Sequence, residues 1–177
     1  MLITRTYILA PSLLLLAFML AACSHVVYPL TPIPVEMDKV GQINTTKAIS
    51  LVNGQTESKL NLVAVQGSDK YFVDFKQWND FIITQLGSEL AKRNVQVKPQ
   101  GAYTFKVSVT SVRFFWGAFG AVRCIANVQV ERSDGKWSKS FEANNAGGNI
   151  NRAIDGAIYK AVVAIIGDLD FQKAISE

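Results

Sequence analysis

The sequence predicts an α+β domain, a mainly antiparallel sheet with a three-stranded meander and two helices packed on one face. Three observations predict it. Apolar and polar residues alternate through Phe105-Val107-Val109 and again through Val122-Cys124-Ala126-Val128-Val130, the period of a half-buried strand. Ser133-Asp134-Gly135 follows the second run and is the strongest hairpin signal in the chain. Two other segments repeat their apolar residues every three or four positions, the period of an amphipathic helix. The order of strands, helix, strands, helix sets both helices on one face of the sheet.

Residues 1–22 read as an address. Arg5 is a short positive start, Tyr7 to Ala22 is an apolar run interrupted by Pro11, and small residues lead into Cys23. A spanning helix needs about 20 apolar residues, so this stretch is read as a cleaved signal. Leu20-Ala21-Ala22-Cys23 resembles the lipobox of bacterial lipoproteins. That resemblance implies cleavage between Ala22 and Cys23, a diacylglyceryl group on the Cys23 thiol and an acyl chain such as palmitate on its amine. More than one chain holds a protein to its membrane stably, where a single chain is marginal. Ser24 after the cysteine, where Asp would retain the protein in the inner membrane, implies the outer membrane. From Cys23 to Thr46 the expectation is a tether, because Pro29, Pro32 and Pro34 fix φ and remove backbone donors.

Residues 47–177 are expected to form the single folded domain. Lys47 to Val52 reads as a short strand stopped by Asn53-Gly54, with a weaker strand at Lys59 to Val65. Phe75, Trp78, Ile82, Leu86 and Leu90 then mark one face of a helix with Asp74 as N-cap. Gly87 in its interior weakens it by about 1 kcal/mol relative to Ala, which suggests close packing there. Val95 to Lys98 is a short strand broken by Pro99-Gln100-Gly101. In the strand that follows, the inward parity slips between Val109 and Val112, as a β-bulge near Ser111 would cause. Asn144 to Asn149 is expected to be a loop. After it Ile154, Ile158, Ala161, Val162, Ile165 and Leu169 form the stripe of a second helix, with Asn151 as cap and Asp155 in its first turn.

Removal of 22 of the 177 residues leaves 155, enough to bury a core. Since Arg5 is the only charged residue removed, the formal charge falls from +4 to +3, and it is dispersed. No Lys/Arg stripe points to nucleic acid. Cys124, on the inward parity of its strand, reads as a buried small hydrophobe.

Several strings between Leu86 and Leu169 resemble the YajG-like family of small outer-membrane lipoproteins. They are Leu90-Ala91-Lys92-Arg93-Asn94-Val95-Gln96-Val97, the Pro99-Gln100-Gly101 break, Tyr103 to Ser111, Asp134-Gly135-Lys136, and Asp155-Gly156-Ala157-Ile158. More loosely, the chain resembles auxiliary lipoproteins of envelope transport systems. The resemblance implies a place and a shape, and supplies no reaction.

The residues give catalysis little to work with. The one histidine, His25, lies in the expected tether, so a nucleophile would lack a fixed base. Asp168 and Asp170 are read as a helix end, and Gly147-Gly148 does not fit a phosphate loop. No metal or cofactor is expected. Two features suit binding instead. Phe114, Phe115, Trp116 and Phe119 crowd a hairpin end and, if exposed, form an apolar docking patch; the alternative is that both parities are buried. Asn144, Asn145 and Asn149 could hold a ligand, or simply serve a loop. The expectation is a non-enzymatic, lipid-anchored envelope protein that faces the periplasm and binds a protein complex. A binder of glycan, lipid or another small ligand is the alternative.

Overall fold

The computed structural model describes residues 23–117 and 120–177. The expected signal peptide, with its cleavage position at Ala22, and Phe119 lie outside them. The described elements run β1 (Ser24–Val26), β2 (Ile49–Asn53), β3 (Leu60–Gln66), β4 (Asp69–Asp74), α1 (Phe75–Lys92), β5 (Tyr103–Trp116), β6 (Val122–Arg132), β7 (Ser138–Gly147), α2 (Ile150–Gly167) and α3 (Leu169–Ala174). The expected α+β architecture is present: β2, β5, β6 and β7 form a four-stranded sheet, and the helices pack against it. The β5-β6-β7 meander is antiparallel throughout, while β2 joins β5 in parallel. A second sheet of order β1-β4-β3 lies beside it.

Alternation explains which face of the meander is covered. Phe105, Val107 and Val109 point inward, the register shifts between Val109 and Ser111, and Val112 and Phe114 resume the inward row. The expected bulge is therefore present. It keeps a long, twisted strand apolar on one side across a change of parity. Val122, Cys124, Ala126, Val128 and Val130 continue that face on β6, meeting Trp78, Ile82, Leu86 and Leu90 of α1 and Ile154, Ile158, Ile165 and Ile166 of α2 in one core. Each large side chain so buried contributes about 1.5–3 kcal/mol. Asp74 caps α1, accepting from the backbone N–H of Lys76 at 2.8 Å.

The segment read as a tether is instead part of the folded body. Ser24–Val26 is a strand, and Val27, Val35, Val40 and Ile43 are buried. Its prolines do prevent a continuous sheet ladder, and several of its carbonyls accept from side chains instead. Trp78 Nε1 donates to Val27 O at 3.0 Å and Gln85 Nε2 to Ile33 O at 2.7 Å. Arg93, fully buried, donates through Nε to Val40 O at 2.9 Å and through Nη2 to Val35 O at 3.1 Å. Glu89 Oε2 holds the same guanidinium at 2.7 Å. Asp155 Oδ1 accepts from the N–H groups of Leu30 and Thr31 at 2.9 and 3.3 Å.

Other differences are local. Asn149, rather than Asn151, caps α2, accepting from Arg152 N at 2.9 Å. Leu169 does not continue the stripe of α2; it is 77% exposed, and Phe171 of α3 enters the core instead. Asp168 closes α2 and caps α3, while Lys139 bridges it and Asp170 at 2.6 and 3.0 Å. Val95 to Lys98 makes a single bridge, Val97 to Ile49, rather than a strand.

Candidate functional site

Cys23, the expected lipid attachment point, is exposed immediately before β1, and its carbonyl accepts from Lys70 N at 2.9 Å. His25 is fixed by the strand that sequence reading had made a tether. In register with Tyr71, it stacks on that ring with centroids 5.1 Å apart, and its Nε2 lies 3.5 Å from Asp69 Oδ1. Tyr71 in turn packs 5.0 Å from the Trp116 ring. Partial burial, and then the Asp69 charge, raise the Tyr71 phenol above its usual range. This ladder of rings brings the β5–β6 hairpin end beside the Cys23 end of β1.

The aromatic cluster divides by parity. Phe114 is buried on the inward row, Trp116 is half-buried, and Phe115 is 47% exposed on the opposite face. Residues in register share a face, so Phe115, Arg123 and Ala146 form one outward row, and Arg113, Ile125 and Asn144 form the next. The hairpin aromatic and one amide of the Asn-rich segment thus lie on a single patch. A shallow groove of about 440 Å³ opens there, walled by Phe115, Trp116, Ala121, Arg123, Ile125 and Ala146. Towards the other end the same face is polar and self-paired: Lys106 meets Glu131 at 3.8 Å, and Asn127 Nδ2 donates to Ser111 Oγ at 2.9 Å. Arg113 reaches Glu142 at 3.9 Å, whereas Arg123 has no carboxylate within 4 Å among the described residues. An apolar groove edged by a guanidinium with no carboxylate partner among the described residues suits a partner carrying both apolar and anionic groups.

The Asn-rich segment, expected to be a loop, is strand as far as Gly147. Asn144 and Asn145 belong to β7, and only Asn144 faces outward. Asn145 turns toward α2, where its Nδ2 donates to Arg152 O at 3.2 Å beside Gly156, and Asn149 is occupied as a cap. Sequence reading missed Arg113, Arg123 and Ile125. The signal was available in their alternation with Val112, Phe114, Val122 and Cys124, which assigns them to the wet face.

A second groove, of about 500 Å³, runs between Ile33 and its flanking Pro32 and Pro34 and the outer side of α1 at Phe81, Thr84 and Ser88. Cys124 is fully buried, and burial pushes its thiol up to about 12. Among the described residues no group of three or more His, Cys, Asp or Glu could hold a metal ion, and no helix is long and apolar enough to cross a membrane.

No family model matches the chain, and no curated protein matches it. The fold is similar to the crystal structure of protein XCC0632 from Xanthomonas campestris, of the family DUF330. The TM-score is 0.53 at 9% identity, over 85% of this chain and 94% of that one. A structure of an uncharacterized protein aligns less well, with a TM-score of 0.41 at 12% identity over 76% of this chain and 96% of that one. At such identity the first likeness is one of fold.

Proposed function

We propose that this chain is a non-enzymatic bacterial envelope lipoprotein, lipid-anchored at Cys23 to the outer membrane, which binds a protein complex on its periplasmic side. The lipobox and the YajG-like strings support the anchor and the place. The observation that carries the binding role is the Phe115 groove near Cys23, where an exposed aromatic and Arg123, which has no carboxylate partner among the described residues, interrupt a sheet face elsewhere paired by Lys106–Glu131 and Arg113–Glu142. A photo-crosslinking residue at Phe115 in the full-length protein in living cells tests it. A discrete envelope-protein adduct, lost on Arg123→Glu, is the expected result; no adduct beside normal membrane fractionation would remove the groove as a docking site. The anchor has its own test, palmitate labelling that disappears in Cys23→Ser.

The α1 groove favours a second reading, in which the domain holds a lipid, glycan or other small ligand. Its volume of about 500 Å³ lies within the range of small-molecule sites. A thermal-shift panel of lipids, muropeptides and oligosaccharides should raise Tm for one class. A flat response sinks this reading.

A further inference from the structure

The small sheet has one face on the body and one in solvent. Val26, Phe72 and Leu62 form one outward row across its three strands, and Ser24, Lys70 and Val65 form the next. Asp74 and Leu60 complete that face. The intervening row of His25, Tyr71 and Ala64 faces the other way, where Tyr71 and Ala64 pack on the core. The register shift between Leu62 and Ala64 makes the outer face apolar. With unbroken alternation Val65 would fall opposite to Leu60 and Leu62; the extra residue returns it to their side. Leu60, Leu62 and Val65 are 54%, 54% and 57% exposed, and Val26 is 47% exposed. A contiguous apolar face left in water marks an interaction surface.

We infer that this face is a membrane-docking surface, which lies against the lipid bilayer when Cys23 is acylated. The inference rests on the anchor reading above and adds an orientation to it. The position of Cys23 identifies the occupant. No linker separates it from the sheet, since β1 begins at Ser24 and the Cys23 carbonyl is bonded to Lys70 of the neighbouring strand. At about 3.3 Å per residue, Val26 lies within about 10 Å of the acylated residue along the strand. An interfacial apolar surface sinks to a comparable depth of about 5–10 Å. Lys59 and Lys70 are exposed at the margin, placed to meet anionic head groups. The carboxylate on that face, Asp74, is turned into the cap of α1 and accepts from Ser58, Lys76 and Gln77.

The test uses full-length, acylated protein in vesicles of phosphatidylethanolamine and phosphatidylglycerol. Single cysteines replace Leu62, Val65 or, as a control on the exposed face of the large sheet, Ser140, and each carries a fluorophore. Cys124 is buried, so the introduced thiol is the one that labels. Doxyl lipids are expected to quench the labels at Leu62 and Val65 several-fold more than the label at Ser140. Equal quenching at all three overturns the inference. So does a Leu62 label shielded from an aqueous quencher yet untouched by doxyl lipid, because a protein, or a second copy, would then cover the face. The mass of the Cys23 peptide separates the two levels. Unmodified Cys23 removes the anchor and this inference together; acylated Cys23 with equal quenching removes the docking alone.

Discussion

Arg93 shows how much one buried side chain can organise. Its guanidinium holds the carbonyls of Val35 and Val40 and the carboxylate of Glu89, all at 2.7–3.1 Å. Arg93→Ala strands those carbonyls and leaves Glu89 with Lys92 as its remaining side-chain cation. Losing one partner of a buried ion pair costs about 3–5 kcal/mol, and that loss is expected in urea denaturation. Arg93→Lys, which keeps the charge but not the fork, should fall between. Glu89 adds a pH dependence. Burial pushes its carboxyl up, but hydrogen bonds from Lys92, Arg93 and the Val35 N–H outweigh that and hold it below its ordinary value of 4.5. A carboxylate depressed in the folded state contributes stability above its unfolded pKa and loses it as pH falls through the folded one. The stability gap between the native chain and Glu89→Gln should therefore be widest above pH 4.5 and narrow on further acidification. A gap independent of pH would show that the charge of Glu89 is not what matters. None of this network was legible in the sequence, where Lys92-Arg93 reads as an ordinary basic helix end.

At the scale of elements, two glycines behave oppositely. A Cβ at Gly87 in α1 would sit 3.8 Å from Leu51 Cδ1 and 3.9 Å from Val97 Cγ1, which is ordinary contact, so the close packing expected there is absent. Gly87→Ala should raise stability by about 1 kcal/mol through helix propensity alone. At Gly101 a Cβ would lie 2.4 Å from the Ile49 carbonyl carbon and 2.5 Å from its Cα. Neither backbone can yield cheaply there, and Gly101→Ala should destabilise by about 1–3 kcal/mol. Thermal melts should move Tm up for the first variant and down for the second. Elements with a clean period, namely α1, the meander strands and α2, were readable from sequence. Asp69–Asp74 was not, because Tyr71, Phe72 and Val73 put apolar residues on both faces and the strand runs into α1 without a turn. Ser24–Val26 was hidden by the prolines that follow it.

For the molecule as a whole, the packed N-terminal segment changes what an anchor at Cys23 would do. Its pins to Trp78, Gln85, Arg93 and Asp155 come from both long helices, so the segment should open only with the body. Limited proteolysis of the full chain with a nonspecific protease should leave Val27 to Ile43 uncut under native conditions, and Arg93→Ala should expose it. Early cutting of the native chain within that span would restore the free tether. A domain joined to Cys23 without slack would not swing freely above a bilayer if that residue were its anchor. The Phe115 groove and the outer face of the small sheet therefore keep a fixed relation to the expected anchor.

The sequence by itself determined the class of fold, the meander with its bulge, the inward row that buries Cys124, and the motif that singles out Cys23. These are local properties, carried by periods of two and 3.6 residues and by short strings. Only the tertiary structure decided which of the flagged groups are free to bind. It buried Phe114 and exposed Phe115, used Asn145 and Asn149 to hold α2, and set Asn144 opposite Ile125, on the same face as Arg123, across two strands. It also drew the Pro-containing segment down onto α1. Those outcomes depend on residues distant in sequence satisfying each other's hydrogen bonds and apolar surface, and no local pattern records which partners will meet.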